Sequence, residues 1–299
     1  MGKGVVVFDS VTKRFGEVTA LDKISFTLRR GLNFLVGPNG SGKSTAINIM
    51  LGLMKQDAGF VEVMGEEPRK VVEKGLVGAL PEKYHFYDFM TGVEYLSLVA
   101  EIKGASRDDV KELIDALSLG DYVNKVIRGY SKGTLQKVAI VQALLGDPPL
   151  LILDEPFANL DFWTSRKLID ILRDKAKKNV SVVLSTHALS HIKGLNGYTV
   201  VVRKGRIVKV GYADEVLGKL WRTAVVKTSE PEKIVNRLVK LGLKARLSKR
   251  GLVVVVLEDE EERTKLWETV KDLGLLESVE ISYGVLDEDE AFDMVMQVD

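Results

Sequence analysis

The sequence contains no cysteine in its 299 residues. Disulfide scaffolds, zinc ribbons and cysteine nucleophiles are therefore excluded, and a reducing compartment is the natural expectation. No apolar run approaches the roughly 20 residues that a membrane-spanning helix needs, so the chain reads as soluble unless a partner holds it. The opening MGKGVVVFDS carries too short an apolar run before Asp9 for a secretion signal, and Val6 stands where an N-myristoylation pattern wants serine or threonine. Charge of one sign is also lacking: 43 basic against 42 acidic residues give a net charge of +1. Nothing global steers the chain to nucleic acid or to an anionic membrane. Long internal repeats and low-complexity linkers are absent as well.

What is present is the composition of an ordinary globular protein, 45% hydrophobic and 28% charged, with length for a main domain and a smaller companion. From Trp221 onward there are 12 basic and 17 acidic residues; before it there are 31 and 25. This shift places an expected boundary near residues 215–222, giving domains over 1–220 and 221–299.

Short strand-like runs open the first part: GVVVFDSVTKRF, ISFTLRRG and LNFLVG. The last leads through a glycine-rich turn into the helical run TAINIMLGLM. VEYLSLVAEIKG and RDDVKELIDALSL carry apolar stripes at helical spacing, so about 84–145 reads as a helical insertion. LLILDEP and VSVVLST are continuous apolar runs of strand length, as buried parallel strands are. The expected class is α/β. The tail predicts β-α-β-β-α-β, a ferredoxin-like sandwich, with a hairpin around Arg250-Gly251 and a closing helix over EDEAFDMVMQ.

GPNGSGKST matches G-x-x-x-x-G-K-[ST] between a predicted strand and helix. Gly37, Pro38, Asn39, Gly40, Ser41, Gly42, Lys43, Ser44 and Thr45 form this phosphate loop. Its glycines let successive N–H groups face inward, and the helix N-terminus behind them favours phosphate. Lys43 is placed to bridge the β- and γ-phosphates, and the Ser44 hydroxyl to hold Mg²⁺. LLILDEP puts Asp154 at the C-terminal end of a buried strand, where ligands of open α/β sheets gather; it is the expected partner of the magnesium. Glu155 beside it is the acid that would orient or deprotonate an attacking water. Nucleoside triphosphate hydrolysis follows. YSKGTLQK reads first as a helix cap, with Ser131 accepting a backbone N–H, but serine, lysine and glycine exposed together also suit an anion.

In order, GPNGSGKST, YSKGTLQK, LLILDEP, NLD and LSTH resemble the ATPase subunit of ATP-binding cassette transporters, over about residues 4–220. The family signature, LSGGQ, falls on Tyr130, Ser131, Lys132, Gly133 and Thr134, keeping Ser131 and Gly133. The resemblance implies a P-loop NTPase cassette with an antiparallel β subdomain and a helical insertion, ahead of the ferredoxin-like α+β domain. It implies ATP and Mg²⁺ as ligands, with Phe15 stacking on adenine and Asp161, in the loop Ala158–Asp161, facing a second subunit. His187 would hydrogen-bond the γ-phosphate. Glu82 takes the place of the family's metal-touching glutamine. Tyr84, Phe86, Tyr87 and Phe89 lie where a permease's coupling helix docks in the family; a simple cap on the insertion's core is the alternative. His85 and His191 are expected at the surface.

The resemblance further implies a dimer with two ATPs between subunits, with Ser131 and Gly133 of one closing on the γ-phosphate held by the other. It implies a second ATP-binding subunit and an integral-membrane permease as partners, and a cytoplasmic protein peripheral on the inner membrane face. The closing segment LDEDEAFDMV is similar to exporter cassettes. A cassette acting on nucleic acid is the alternative; those usually carry coiled coils, zinc cysteines or tandem cassettes, which this sequence lacks. A GTPase should offer N-K-x-D, but NKVI at Asn124 has isoleucine where aspartate is needed.

Overall fold

The computed structural model describes residues 4–248 and 251–283. They divide into two compact units. The first runs up to Thr186 and takes in Asn196–Gly211; the second holds His187–Leu195 and the described residues from Tyr212 onward.

In the first unit, β1 (Val6–Phe15), β2 (Val18–Leu28) and β4 (Ala58–Val63) form an antiparallel sheet in the order β2-β1-β4. A second, six-stranded sheet contains β3 (Leu32–Val36), β5 (Val77–Leu80), β6 (Leu150–Leu153), β7 (Ser181–Thr186), β8 (Tyr198–Arg203) and β9 (Arg206–Tyr212), in the order β5-β6-β7-β3-β8-β9. Its pairs from β5 to β8 are parallel. Leu150 to Leu153 are all fully buried, which explains why that strand reads as an unbroken apolar run. Around the sheets lie α1 (Lys43–Met50), α2 (Pro68–Glu73), α3 (Gly92–Lys103), α4 (Arg107–Ala116), α5 (Lys132–Leu144) and α6 (Phe162–Lys177).

The helical insertion is delimited by local chemistry. Thr91 and Glu94 form a reciprocal capping box at the start of α3, and Ser106 with Asp109 does the same for α4. Each such cap contributes about 1 kcal/mol.

The sheet's register fixes the site. Val36 aligns with Thr186, and Leu153 with Leu184. Because β3, β7 and β6 are parallel neighbours, the residues that follow them leave the sheet at one edge. Within the first unit, Gly37 and Asp154 are the residues that follow β3 and β6.

The second unit contains α7 (Ala213–Trp221), β10 (Thr223–Lys227), α8 (Pro231–Lys240), β11 (Lys244–Leu247), β12 (Val253–Val256), α9 (Glu260–Asp272) and β13 (Glu280–Tyr283). Its antiparallel sheet has the order β11-β12-β10-β13, the ferredoxin-like arrangement expected from the element order. Alternate residues of the sheet, Ala224, Val226, Val253 and Val255, are buried with Ile234 and Leu238 of α8 and Leu266 and Val270 of α9. The closing helix expected over EDEAFDMVMQ, and Arg250 of the hairpin, lie outside the described residues. Among the described residues no helix is long and apolar enough to cross a membrane.

Candidate active site

The phosphate loop leaves β3 and enters α1 through Gly42, whose backbone is left-handed at φ 110°. A Cβ there would lie 2.6 Å from the Ala20 carbonyl oxygen of β2, so both conformation and space demand glycine. No side chain caps α1. Its leading N–H groups are thus left to a ligand, and an anion suits them.

Lys43, the first residue of α1, is only 5% exposed. Its ammonium donates to the Gly37 and Pro38 carbonyls at 2.8 and 3.0 Å and stands 3.7 Å from the Glu155 carboxylate. Burial lowers its pKa from the usual lysine range, opposed by the charges of Glu155, Asp154 and Glu82. Asp154 is 2% exposed. Burial pushes its carboxyl up, against the pull of hydrogen bonds from Ser185 and Ser44. Ser185, one strand over on β7, donates its hydroxyl to Asp154 Oδ1 and accepts the Glu155 N–H at 2.9 Å.

Whether this cluster suits Mg²⁺ can be judged from Asp154. Its Oδ2 is buried and has no hydrogen-bond partner among the described residues, and the Ser44 hydroxyl is beside the same carboxylate. Among the described residues no group of three or more histidine, cysteine, aspartate or glutamate side chains could hold a metal alone. A hydroxyl and one carboxylate oxygen, completed by water and phosphate oxygens, are what Mg²⁺ accepts, so these residues fit. Glu82 is exposed. Its charge is felt at both Asp154 and Lys43.

Glu155 has a left-handed backbone, φ 45°, a conformation that costs a non-glycine residue about 1 kcal/mol or more. It is held on both sides: the N–H goes to Ser185, and the C=O accepts from the Gln136 side chain of α5 at 3.3 Å. Neither Ser185 nor Gln136 belongs to a motif that marks it in the sequence. The signals in the sequence are a glutamine one turn into α5, just ahead of its apolar run, and a serine inside the fully buried β7.

The other expected residues are placed as follows. Phe15 ends β1, 48% exposed, with the Lys13 ammonium 5.7 Å from its ring centre. Ser131 caps α5: its Oγ accepts the Thr134 N–H at 3.2 Å and lies 2.9 Å from the Thr134 hydroxyl. Lys132 is exposed. A Cβ on Gly133 would lie 2.7 Å from the Asn159 carbonyl oxygen, so glycine lets α5 and the 158–161 loop touch. Asp161 caps α6 through the Thr164 N–H and hydroxyl, and lies 3.6 Å from Lys137 of α5. The Thr164 hydrogen bonds hold its carboxyl down to about 2. Lys43, Ser44, Asp154 and Glu155 are therefore one cluster, whereas the hydrogen bonds of Ser131 among the described residues stay within its own cap. His187 directly follows β7, is half-buried and belongs to the second unit. His85 is exposed; His191, expected at the surface, is half-buried.

A phosphate loop opening an uncapped helix, beside an aspartate–glutamate pair at the end of a parallel strand, defines an α/β nucleotide hydrolase. The sequence model of the ABC transporter family matches residues 21–158. YhcH, an ABC transporter ATP-binding protein of Bacillus subtilis, is 31% identical over 266 residues, 85% of this chain and 87% of the relative. MJ1023, an ABC transporter ATP-binding protein of Methanocaldococcus jannaschii, is 32% identical over 223 residues, covering 73% of this chain and 81% of its own. A solved ATP-binding subunit of an ABC transporter superposes with a TM-score of 0.64 at 28% identity, covering 71% of this chain and 91% of that one. The chain belongs to the ABC transporter family of ATP-binding proteins. It is an ATP-binding subunit and an ATPase.

Proposed function

We propose that this subunit powers a membrane transporter by ATP-driven association of two cassettes. The observation that carries the reading is the division of the anion-binding features. Lys43 of the Gly37–Thr45 loop sits with Asp154 and Glu155, while Ser131 and Lys132 are exposed at the start of α5, where Ser131 bonds only within its own cap among the described residues. Each loop then receives Ser131 and Gly133 from another cassette, homologous or identical.

In this reading the loop N–H groups and Lys43 take the phosphates, and Phe15 offers the exposed face of its ring to the base. The Lys43 ammonium exchanges its carbonyl contacts for phosphate oxygens and stabilises the charge that builds in the transition state. Glu155 orients the attacking water and accepts its proton, with His187 as a second contact to the γ-phosphate. Ser44 and Asp154 would hold Mg²⁺, with Glu82 a further candidate; the metal's contribution is to neutralise charge on the phosphate oxygens. Asp161 lines the seam between subunits. Loss of the γ-phosphate removes what joins the two cassettes, and they part.

The catalytic domain is taken to end near residue 220, with a distinct domain after it. A small α/β unit at this place resembles exporter cassettes and supports export as the direction. Docking of a permease onto the aromatic loop Tyr84–Phe89, where Tyr87 and Phe89 are exposed, would hold the subunit on the inner membrane face. Purification of the tagged chain from its native membranes tests this: a protein with several membrane spans should accompany it and raise its ATPase rate. ATPase stimulated only by DNA or RNA would contradict the transporter reading.

A further inference from the structure

Gln136 is 4% exposed and lies one turn into α5. Its Nε2 donates to the carbonyl oxygens of Glu155 and Pro156, at 3.3 and 3.2 Å. Its Oε1 accepts the Tyr84 hydroxyl at 2.7 Å. The orientation of the amide is forced: carbonyl oxygens only accept, so the NH₂ must face them and the oxygen must face Tyr84. Tyr84 in turn packs edge-on against Phe86 in the same loop that exposes Tyr87 and Phe89, and Phe86 packs edge-on against Tyr95 of α3. At the far end, the residue held is the left-handed Glu155, whose N–H is already fixed by Ser185.

We propose that Gln136 is a positioning residue for Glu155, and that the Tyr84–Gln136 hydrogen bond ties the aromatic loop to the hydrolytic carboxylate. A buried amide satisfied on both sides specifies one geometry, because any shift leaves a buried donor or acceptor unpaired. Ser185 and Gln136 clamp the peptide groups on either side of the Glu155 Cα, which fixes the direction in which its side chain leaves the backbone. Displacement of Tyr84 changes what Gln136 can bond, and the change reaches the backbone of Glu155 directly. The inference rests on the reading of Glu155 as the residue that orients water.

Steady-state ATPase of the full chain tests it with three substitutions. Tyr84→Phe keeps the ring and removes the hydroxyl; it should lower kcat about threefold to tenfold, the size of one lost hydrogen bond. Gln136→Leu keeps the volume and removes both bonds; it should lower kcat by about tenfold to a hundredfold. Both should leave the KM for ATP within about twofold, because uniform binding through the loop is untouched. The double variant should be no slower than Gln136→Leu alone, since both single changes break one network. Wild-type kcat in Tyr84→Phe, losses that multiply in the double variant, or a rise in KM matching the fall in kcat would each overturn the proposal. Tyr84→Phe, which removes no packing atoms of the ring, serves as the deciding variant if Gln136→Leu does not fold. Glu155→Gln separates the two readings: if it turns over normally, the role of Glu155 fails, whereas a stalled Glu155→Gln beside unaffected Tyr84 and Gln136 variants sinks only the positioning role.

Discussion

Two helices of the first unit each open with a lysine, and their surroundings could hardly differ more. Lys43 begins α1 after a glycine with no side-chain cap; it is buried, bonded to its own loop's carbonyls and paired with Glu155. Lys132 begins α5 after a serine that satisfies the helix's N–H itself, and it is exposed. A helix start that lacks a cap and buries a cation is built for an anion held by this chain. A capped start with its lysine in solvent is stable alone, and any anion it meets must come from outside. The glycines differ in the same way: Gly42 takes a left-handed position against β2, while Gly133 lets α5 approach the Asn159 carbonyl.

The largest effect is expected of Lys43→Ala. It removes the buried cation at the place where transition-state charge develops, and hydrolysis should fall on the order of a hundredfold or more; unchanged turnover would refute the phosphate-loop assignment. Ser131→Ala comes next. Loss of the cap should cost about 1 kcal/mol in unfolding free energy, read in denaturant melts, and turnover should drop by more than that stability loss explains if Ser131 also meets γ-phosphate. A normal ATPase rate with lowered stability would reduce Ser131 to a cap. The smallest effect is expected of Lys132→Gly. A cation at a helix N-terminus opposes the helix dipole by roughly 0.3–1 kcal/mol and is screened by salt, so the variant should flatten the salt dependence of ATP-driven association. An identical salt curve would place Lys132 away from the seam.

Much of the site was legible because its chemistry is local. Gly37 to Thr45 are contiguous, and the strand before and helix after them are carried by simple apolar periodicity. Asp154 and Glu155 were readable because LLIL is wholly apolar and ends abruptly in two acids. The ferredoxin-like order of the tail was legible for the same reason: its strands and helices alternate with clear turn signals. What could not be read were partners that meet only through the sheet order. Ser185 reaches Asp154 because β6 and β7 are neighbours, and Gln136 reaches Glu155 because α5 packs beside the turn after β6. Neither sequence separation nor residue type announces those contacts. Asp161 was readable as a loop acid, but its service as the cap of α6, with Lys137 beside it, belongs to the fold.

In the proposed dimer, the nucleotide at Lys43 is completed by Ser131 of another cassette. Glu155→Gln keeps the volume of the side chain and removes its capacity to accept a proton from water, so ATP should persist once bound. Sedimentation of this variant at fixed protein concentration, with and without ATP and Mg²⁺, measures the claim directly. The protein should be a monomer without nucleotide, a dimer with ATP, and a monomer again when Ser131→Arg is added to the same chain. A Glu155→Gln protein that binds ATP to saturation and remains monomeric would contradict it.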